Sequence, residues 1–151
     1  MEIKNKFVEE NITENGKVIG KIRFNPNDSK IMYNLALTIE NLTSSLEKLK
    51  TMSIPEKIDL DKLTTADDFI KSSDNFNKIA SAYELEYKTI NEAIKKLEEI
   101  FGKDTIECFT KGTTDYYTLV PLLEFIMPYV KKSRDSKVNE YLRKSTSSVM
   151  S

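Results

Sequence analysis

Side chains that could carry out chemistry are scarce in this sequence, and histidine is missing altogether. Histidine is the most common general base, the usual partner of a catalytic nucleophile and the most common metal ligand. Cys108 is the single cysteine, so it lacks both an imidazole to activate its thiol and the further ligands of a structural zinc site. We therefore expect a buried thiol at Cys108, with no catalytic residue, no cofactor and no metal.

Two acidic pairs come closest to a site. Asp59 and Asp61 have the spacing that opens a calcium-binding loop, but Thr64 stands where the loop needs glycine and Ile70 where it needs glutamate. The second pair, at 67–68, falls in a predicted first helical turn, where the helix dipole favours carboxylates. Catalysis by carboxylates alone stays open in principle, but no phosphate-binding loop, dinucleotide fingerprint or metalloprotease motif accompanies it. An enzyme is not expected.

The composition is that of an ordinary globular protein. The chain has 151 residues, of which 31% are charged and 39% hydrophobic, and its net charge is −1. This length suits one domain with a modest core, and the balanced charge gives no general attraction to nucleic acid or to anionic membranes. Neither a membrane-spanning run nor a secretory signal is recognisable, and a single cysteine fits a reducing compartment, so a cytosolic location is expected.

The first 24 residues are predicted to form a β-hairpin around Asn15-Gly16, because both central positions of a type I′ turn need positive φ. The predicted pairs are Glu14 with Lys17, Thr13 with Val18, Ile12 with Ile19, Glu10 with Lys21 and Phe7 with Phe24. Val18, Ile22 and Phe24 then share one face. An isolated hairpin is marginal in water, so either the chain's own helices or another copy must cover that face.

Two long helices should follow. The first, 26–52, is predicted to be capped by Asn25, with an apolar seam at Met32, Leu35, Ile39, Leu42, Leu46 and Leu49. The second, 65–101, starts at a capping box of Thr65 and Asp68 and ends at Gly102. Its seam comprises Phe69, Ser73, Phe76, Ala80, Tyr83, Tyr87, Ile90, Ile94, Leu97 and Phe101. The two seams pair most simply as an antiparallel pair within one chain, although pairing between subunits stays open.

The C-terminal helical region is predicted to span 104–144. A short helix runs from Asp104 to Thr110, and a third main helix spans 116–131, capped by Thr114 or Asp115 and kinked or ended by Pro128. A disordered tail is expected at 145–151. The fold class is therefore mainly α with a short N-terminal β-hairpin (α+β), as a single domain over 1–144.

Four features could form interaction surfaces. On the second helix, Tyr83 and Tyr87 could form an aromatic contact surface, but burial in the core is favoured. The same seam has small residues at Ser73 and Ala80. They indicate either the close approach of another helix or a groove for a partner, and close approach is favoured. The hairpin carries Val18, Ile22 and Phe24, and its unpaired edge is the leading assembly surface, at even odds with packing on its own helices. The remaining feature is a basic stretch, favoured as a solvated helix face over a phosphate contact: Lys131, Lys132, Arg134, Lys137, Arg143 and Lys144.

Three segments in order resemble one family. The stretch from Lys17 to Asp28, Lys-Val-Ile-Gly-Lys-Ile-Arg-Phe-Asn-Pro-Asn-Asp, resembles the G-x-I-x-F-N-P-x-D opening of tail assembly chaperones from siphophages and prophages of Gram-positive bacteria (Firmicutes). Phe101-Gly102-Lys103-Asp104-Thr105, followed by Phe109, is similar to the family's F-G-x-G-T corner, with Asp104 in place of glycine. The segment from Leu122 to Lys132 resembles its last helix with a proline-tyrosine ending.

This resemblance implies a non-catalytic factor that binds the tape measure protein, keeps it soluble and recruits tail tube subunits, without a cofactor. It further implies self-association, a location in the host bacterial cytoplasm and absence from the mature virion. Two other classes remain alternatives: a minor structural tail protein of the virion, and a small nucleic-acid-binding regulator that uses the basic stretch. A general homo-oligomeric scaffold is the fallback.

Overall fold

A computed structural model describes residues 1–4, 6–52 and 63–150. The elements in chain order are β1 (Val8–Glu14), β2 (Lys17–Phe24), α1 (Ser29–Thr51), α2 (Ala66–Lys71), α3 (Ser73–Phe101), α4 (Lys103–Thr110) and α5 (Tyr116–Met150). The predicted fold class, mainly α with an N-terminal hairpin, is confirmed. Most of the predicted connection at 53–64, including Asp59 and Asp61, lies outside the described residues.

The hairpin turn forms as predicted, but the ladder shifts beyond it. Asn15 and Gly16 both have positive φ, at 52° and 78°, and the two pairs nearest the turn are the predicted ones. A bulge then leaves Ile19 without a partner, so that Ile12 pairs with Gly20. The later predicted pairs are therefore wrong by one residue: the observed ones are Asn11 with Lys21, Glu10 with Ile22, Glu9 with Arg23 and Val8 with Phe24.

This bulge divides the predicted apolar face between the two sides of the hairpin. Val18 is 62% exposed, whereas Ile22 and Phe24 are 2% and 3% exposed and pack in the core together with Ile12. Grouping Val18 with the other two was wrong because an inserted residue reverses the alternation of side chains. The hairpin's apolar face thus packs against the chain's own helices.

Close contact between β2 and α4 explains the glycine beside the bulge. A Cβ atom added to Gly20 would lie 2.7 Å from the Cys108 sulfur, and the Cys108 thiol approaches the Ile19 carbonyl oxygen at 3.5 Å. At the end of α4, Lys111 forms an ion pair of 2.9 Å with Glu14 of the hairpin. The predicted buried thiol is therefore half-buried under β2.

α1 begins three residues later than the sequence predicts. Asp28, and not Asn25, is its N-cap: the Asp28 carboxylate accepts hydrogen bonds from the backbone amides of Lys30 and Ile31 at 3.0 and 3.3 Å. The Asn25 side chain instead accepts from the Asn27 amide at 2.9 Å. Asn25 and the following proline therefore form the turn that leads into the helix. The predicted seam of α1 is confirmed, since its six residues are all buried or half-buried.

The predicted second helix is two helices, α2 and α3, separated at Ser72 (φ −90°, ψ −1°). The capping box of Thr65 and Asp68 is confirmed at the start of α2. At the other end, Gly102 has the expected positive φ of 94°, but its ψ of 149° is extended, so it forms the corner into α4 and not a left-handed helical cap.

α1 and α3 form an antiparallel pair within one chain. In the middle of α1, Thr38 and Leu42 share a groove with Ala93, which lies towards the end of α3. At the end of α1, Met52 lies beside Asp74 and Ser81, at the start of α3. Pairing of these two helices within the chain, the simpler of the two predictions, is thus the one observed.

α5 continues through both of its prolines. Pro128 was predicted to kink or end the third helix, but the helix extends to Met150, beyond the predicted end of the ordered region at Lys144. A proline inside a helix removes one hydrogen bond to the carbonyl four residues earlier. Pro121 and Pro128 are both exposed, and so are Tyr117 and Glu124, whose carbonyls lose that partner, so water can satisfy them. Asp115 starts the helix by accepting a bond of 3.0 Å from the Tyr117 amide.

The core lies at one end of the molecule. The hairpin, residues 29–42 of α1, residues 90–101 of α3, α4 and residues 116–130 of α5 surround it, and together they are called the head. Its fully buried side chains are Leu35, Ile90, Leu97, Ile106, Leu119, Leu122 and Ile126. The remaining described part of the helical pair, residues 43–52, α2 and residues 73–89 of α3, is called the arm. In the arm, Ala82 is the only described residue in the buried class, at 7% exposure.

Candidate interaction surface

Phe24 lies at the centre of an aromatic cluster in the head. Its ring meets Phe101, Phe125 and Tyr129 edge to face, with centroid distances of 5.8, 6.1 and 5.3 Å. Such arrangements stabilise aromatic pairs beyond the effect of burial alone. Phe24 and its neighbour Ile22 are therefore core residues: the hairpin side that carries them packs on the chain's own helices, the alternative that the sequence left at even odds with an assembly surface. Of the three hairpin residues that the sequence proposed for an interaction surface, only Val18 is exposed.

The opening segment, from Lys17 to Asp28, is part of the packing of the head. Gly20 permits the approach of α4, Ile22 and Phe24 enter the core, and Asn25 turns the chain towards the cap at Asp28. These five positions of the segment thus each have a structural role.

The outer face of the hairpin is largely charged. Glu9 of β1 forms ion pairs with Lys21 at 3.7 Å and with Arg23 at 3.1 Å. The Arg23 guanidinium also lies 3.9 Å from the centre of the Phe7 ring, a cation–π arrangement. Charges of this kind on a short hairpin discourage the addition of a further strand. Val18 and the bulged Ile19 remain exposed near the turn.

A row of exposed aromatic residues runs along the arm. It consists of Phe69 (52% exposed), Phe76 (37%), Tyr83 (66%) and Tyr87 (47%), and these four residues are called the aromatic row. Burial of Tyr83 and Tyr87 in the core, the favoured prediction, is wrong. The seam to which they belong is buried only in the head, at Ile90 and beyond.

The rings of the row are exposed because a different side of α3 faces α1. Ile79, Ala82 and Glu86, spaced by three and four residues, are buried or half-buried in the arm, so α1 covers a neighbouring side of α3. The small residues of the seam, Ser73 and Ala80, are exposed. They lie between the rings of the aromatic row and do not serve the α1–α3 contact.

The charged groups next to the aromatic row have pKa values that are changed by partners within the same helix or its cap. Glu84 accepts a hydrogen bond from Lys88 one turn later, and this bond and the attraction of the two charges lower the pKa of Glu84 and raise the pKa of Lys88. At the start of α2, hydrogen bonds from Thr65 to Asp68 lower the pKa of the Asp68 carboxyl. That carboxylate caps a helix, as its position in the first turn predicts.

Two further depressions were not predicted from the sequence. One is a groove of about 270 Å³ between α1 and α3, with the buried Thr38 and Ala93 among its lining residues and charged residues such as Lys96 and Glu99 beside them. The other is a shallow, mostly apolar surface along α5 that includes Val120 and Met127. Only the second could have been predicted from the sequence, because α5 carries apolar residues on more sides than the side that faces the core.

The basic stretch is described only in part. Lys131 and Lys132 are exposed on α5, while the side chains of Arg134, Lys137, Arg143 and Lys144 lie outside the described residues. Among the described residues, no group of three metal-binding side chains occurs. Within the same residues, no helix is both long and apolar enough to cross a membrane.

Comparisons with protein-family models, with curated proteins and with solved structures find no match to this chain.

Proposed function

We propose that this protein is a tail assembly chaperone that binds the phage tape measure protein and keeps it soluble while tail tube subunits are recruited. One observation of the molecule supports this most: the aromatic row, an exposed apolar surface of coiled-coil spacing on the arm. The three family-like segments suggest the class of protein, and the row suggests how such a protein could hold its client.

The row suits a helical client. Within α3, Phe76, Tyr83 and Tyr87 recur at intervals of seven and four residues, so they follow one side of that helix, and Phe69 of α2 lies seven residues before them. A partner helix with its own apolar seam can place side chains between the rings, as in helix-in-groove recognition. A tape measure protein, as a long apolar helix, offers such a seam.

Two ion pairs neutralise part of the charge beside the row. Glu84 is paired with Lys88, and Asp67 with Lys71 at 3.4 Å, so neither ion pair presents a net charge to a client. Recognition would depend mainly on burial of apolar surface, at about 25 cal/mol per Å² removed from water. Such recognition tolerates differences in client sequence, which suits a protein that must protect many similar heptads.

Co-expression with a siphophage tape measure protein tests the proposal. The tape measure protein should remain in the soluble fraction and copurify with the chain. Tyr83→Lys should abolish both effects, because it places a charge in the centre of the row. Tyr33→Lys is the matched control, since Tyr33 is 64% exposed on α1 and lies outside the row. A tape measure protein that stays insoluble with the unmodified chain would contradict the proposal.

Mass spectrometry of purified phage particles separates this function from the structural alternative. A chaperone leaves before the tail is complete, so its peptides should be absent from mature virions. Stoichiometric amounts in the particle would identify a minor tail protein instead.

A further inference from the structure

The aromatic row contains small residues as well as rings. Ser73 lies between Phe69 and Phe76, and Ala80 lies between Phe76 and Tyr83; both are exposed. A large residue followed by a small one along a helix leaves a gap into which a ring from another helix fits. The row therefore contains both the knobs and the holes of one contact.

We propose that a second copy of this chain covers the aromatic row, with the two α3 helices antiparallel and a two-fold axis beside Lys78. Position 78 is the midpoint of the row, which extends from Phe69 to Tyr87. Rotation about this axis places Phe76 against Ala80 of the second copy, and it places Tyr83 against Ser73. A two-fold contact repeats each of these pairs, so both copies bury the whole row.

The end of the row completes the match. Phe69 lies opposite Tyr87 of the second copy, and these two residues are 52% and 47% exposed. α2 can contribute Phe69 because Ser72 keeps a right-handed helical backbone between α2 and α3.

The neighbouring registers fit less well. A shift of one heptad towards the head would place Ser73 opposite Ile90, which is 0% exposed in its own core. The opposite shift would leave Tyr83 and Tyr87 uncovered. Only the register centred on Lys78 pairs exposed residues with exposed residues along the complete row.

Residues that flank the row avoid contacts between like charges in this arrangement. On one side Asn77 meets Asn77 of the second copy, and Glu84 meets Ile70. The other flank of the row, with Ile79 and Glu86, is already half-covered by α1 of the same chain. Lys78 itself points to the opposite side of α3 by the helical period, so the two-fold axis brings no pair of lysines together.

The size of the contact predicts a weak dimer. An aromatic side chain offers about 200 Å², so four half-exposed rings give roughly 400 Å² per copy and roughly 800 Å² in total. Ile70 and the flanking residues bring the buried area to about 1,000 Å², the lower limit for a specific interface. The dimer should therefore dissociate on dilution. Its formation does not depend on the proposed function, but a helical client would compete with the second copy for the same row.

Sedimentation velocity of the purified full-length chain, without any client, tests the pairing. The unmodified chain should change from dimer to monomer as it is diluted. Tyr83→Lys should be monomeric at every concentration, with an unchanged circular dichroism spectrum, and Tyr33→Lys should behave like the unmodified chain. A monomer at all concentrations for the unmodified chain would overturn the proposal, and so would a dimer that Tyr83→Lys leaves intact.

Cross-linking then tests the register, in a Cys108→Ala background that removes the native thiol. Asn77→Cys should cross-link to itself with a short bismaleimide. Glu84→Cys should not, because its two copies lie roughly 14 residues apart along the paired helices, or about 21 Å. Mixing Glu84→Cys chains with Ile70→Cys chains should restore the cross-link. Self-linkage of Glu84→Cys, or its absence for Asn77→Cys, would refute this register.

These results are independent of the client experiment. If the chain is monomeric but the tape measure protein is soluble only in its presence, the pairing fails and the proposed function stands. If the predicted dimer forms and the tape measure protein stays insoluble, the pairing stands and the proposed function fails.

Discussion

The head and the arm use the same two helices in opposite ways. In the head, α1 and α3 have the hairpin, α4 and α5 packed around them, and their seams are buried: Leu35 and Ile90 are both 0% exposed. In the described part of the arm, α1 and α3 pack mainly against each other, with the short α2 beside α3, and Tyr83 is 66% exposed. The seam of α3 has the same period in both parts. Periodicity therefore identifies an apolar side of a helix, while the number of neighbouring elements decides whether that side forms a core or a surface.

The largest difference between the two parts should appear when one ring is removed from each. Phe24→Ala should lower the free energy of unfolding by about 3–5 kcal/mol, because it leaves a cavity among three aromatic neighbours. Phe76→Ala, in the half-exposed row, should lower it by less than about 1 kcal/mol. Urea denaturation of both variants, followed by circular dichroism, measures the difference. Equal losses would show that the arm is as tightly packed as the head.

Overpacking at the contact of β2 with α4 should have the next largest effect. Gly20→Ala should destabilise the protein by about 1–3 kcal/mol, because the new Cβ meets the Cys108 sulfur at 2.7 Å. Cys108→Ala removes that sulfur and leaves the Cys108 Cβ at an ordinary distance of 3.9 Å. The double variant should therefore recover most of the loss, giving a favourable coupling energy in a double-mutant cycle. Additive losses would place the strain elsewhere.

Hydrogen exchange within α3 should reveal the boundary directly. Amides at 90–101 should exchange close to the rate of global unfolding, and those at 73–89 should exchange faster, since local opening is easier where few apolar contacts are broken. Exchange followed by NMR or mass spectrometry at low protein concentration reports both parts of one helix. Uniform protection along α3 in the monomer would contradict the division into head and arm.

The smallest predicted effect is a response of α2 to acid. Hydrogen bonds from Thr65 lower the pKa of Asp68 in the folded chain, so this carboxylate stabilises the start of α2 above its unfolded pKa, near 3.9. That contribution is lost as the pH falls through the lowered folded pKa. Exchange rates of the α2 amides should rise in this acidic range, and in Asp68→Asn the pH dependence should be weaker. An unaltered profile in Asp68→Asn would assign the response to other carboxylates.

The elements themselves were largely predictable, because each depends on a local signal. Asn15-Gly16 marked the turn, the capping box marked α2, and the seams marked α1 and α3. The fold class followed from them. Cap positions were less certain, since Asn25 and Asp28 are both good cap residues and the sequence alone does not decide which of them starts the helix.

The interaction surface was predictable in part, and its errors have two physical causes. Val18 was grouped with Ile22 because a bulge leaves no mark on an alternating pattern. Tyr83 and Tyr87 were identified as a possible contact surface, but the core was favoured for them, since their period is the same as that of the buried Ile90. Exposure depends on where α5 and the hairpin stop covering α3, and that is a property of the whole fold.

The extra residue at Ile19 separates the tip of the hairpin from its base. Beyond the bulge the two strands are out of phase with the turn, so the side of the ribbon occupied by Val18 is not the side that carries Ile22. Substitutions at Asn15 and Gly16 should therefore not change which side chains of the strands face the core. This tip is accordingly a suitable place to insert an epitope or a fluorescent label while the rest of the chain keeps its shape.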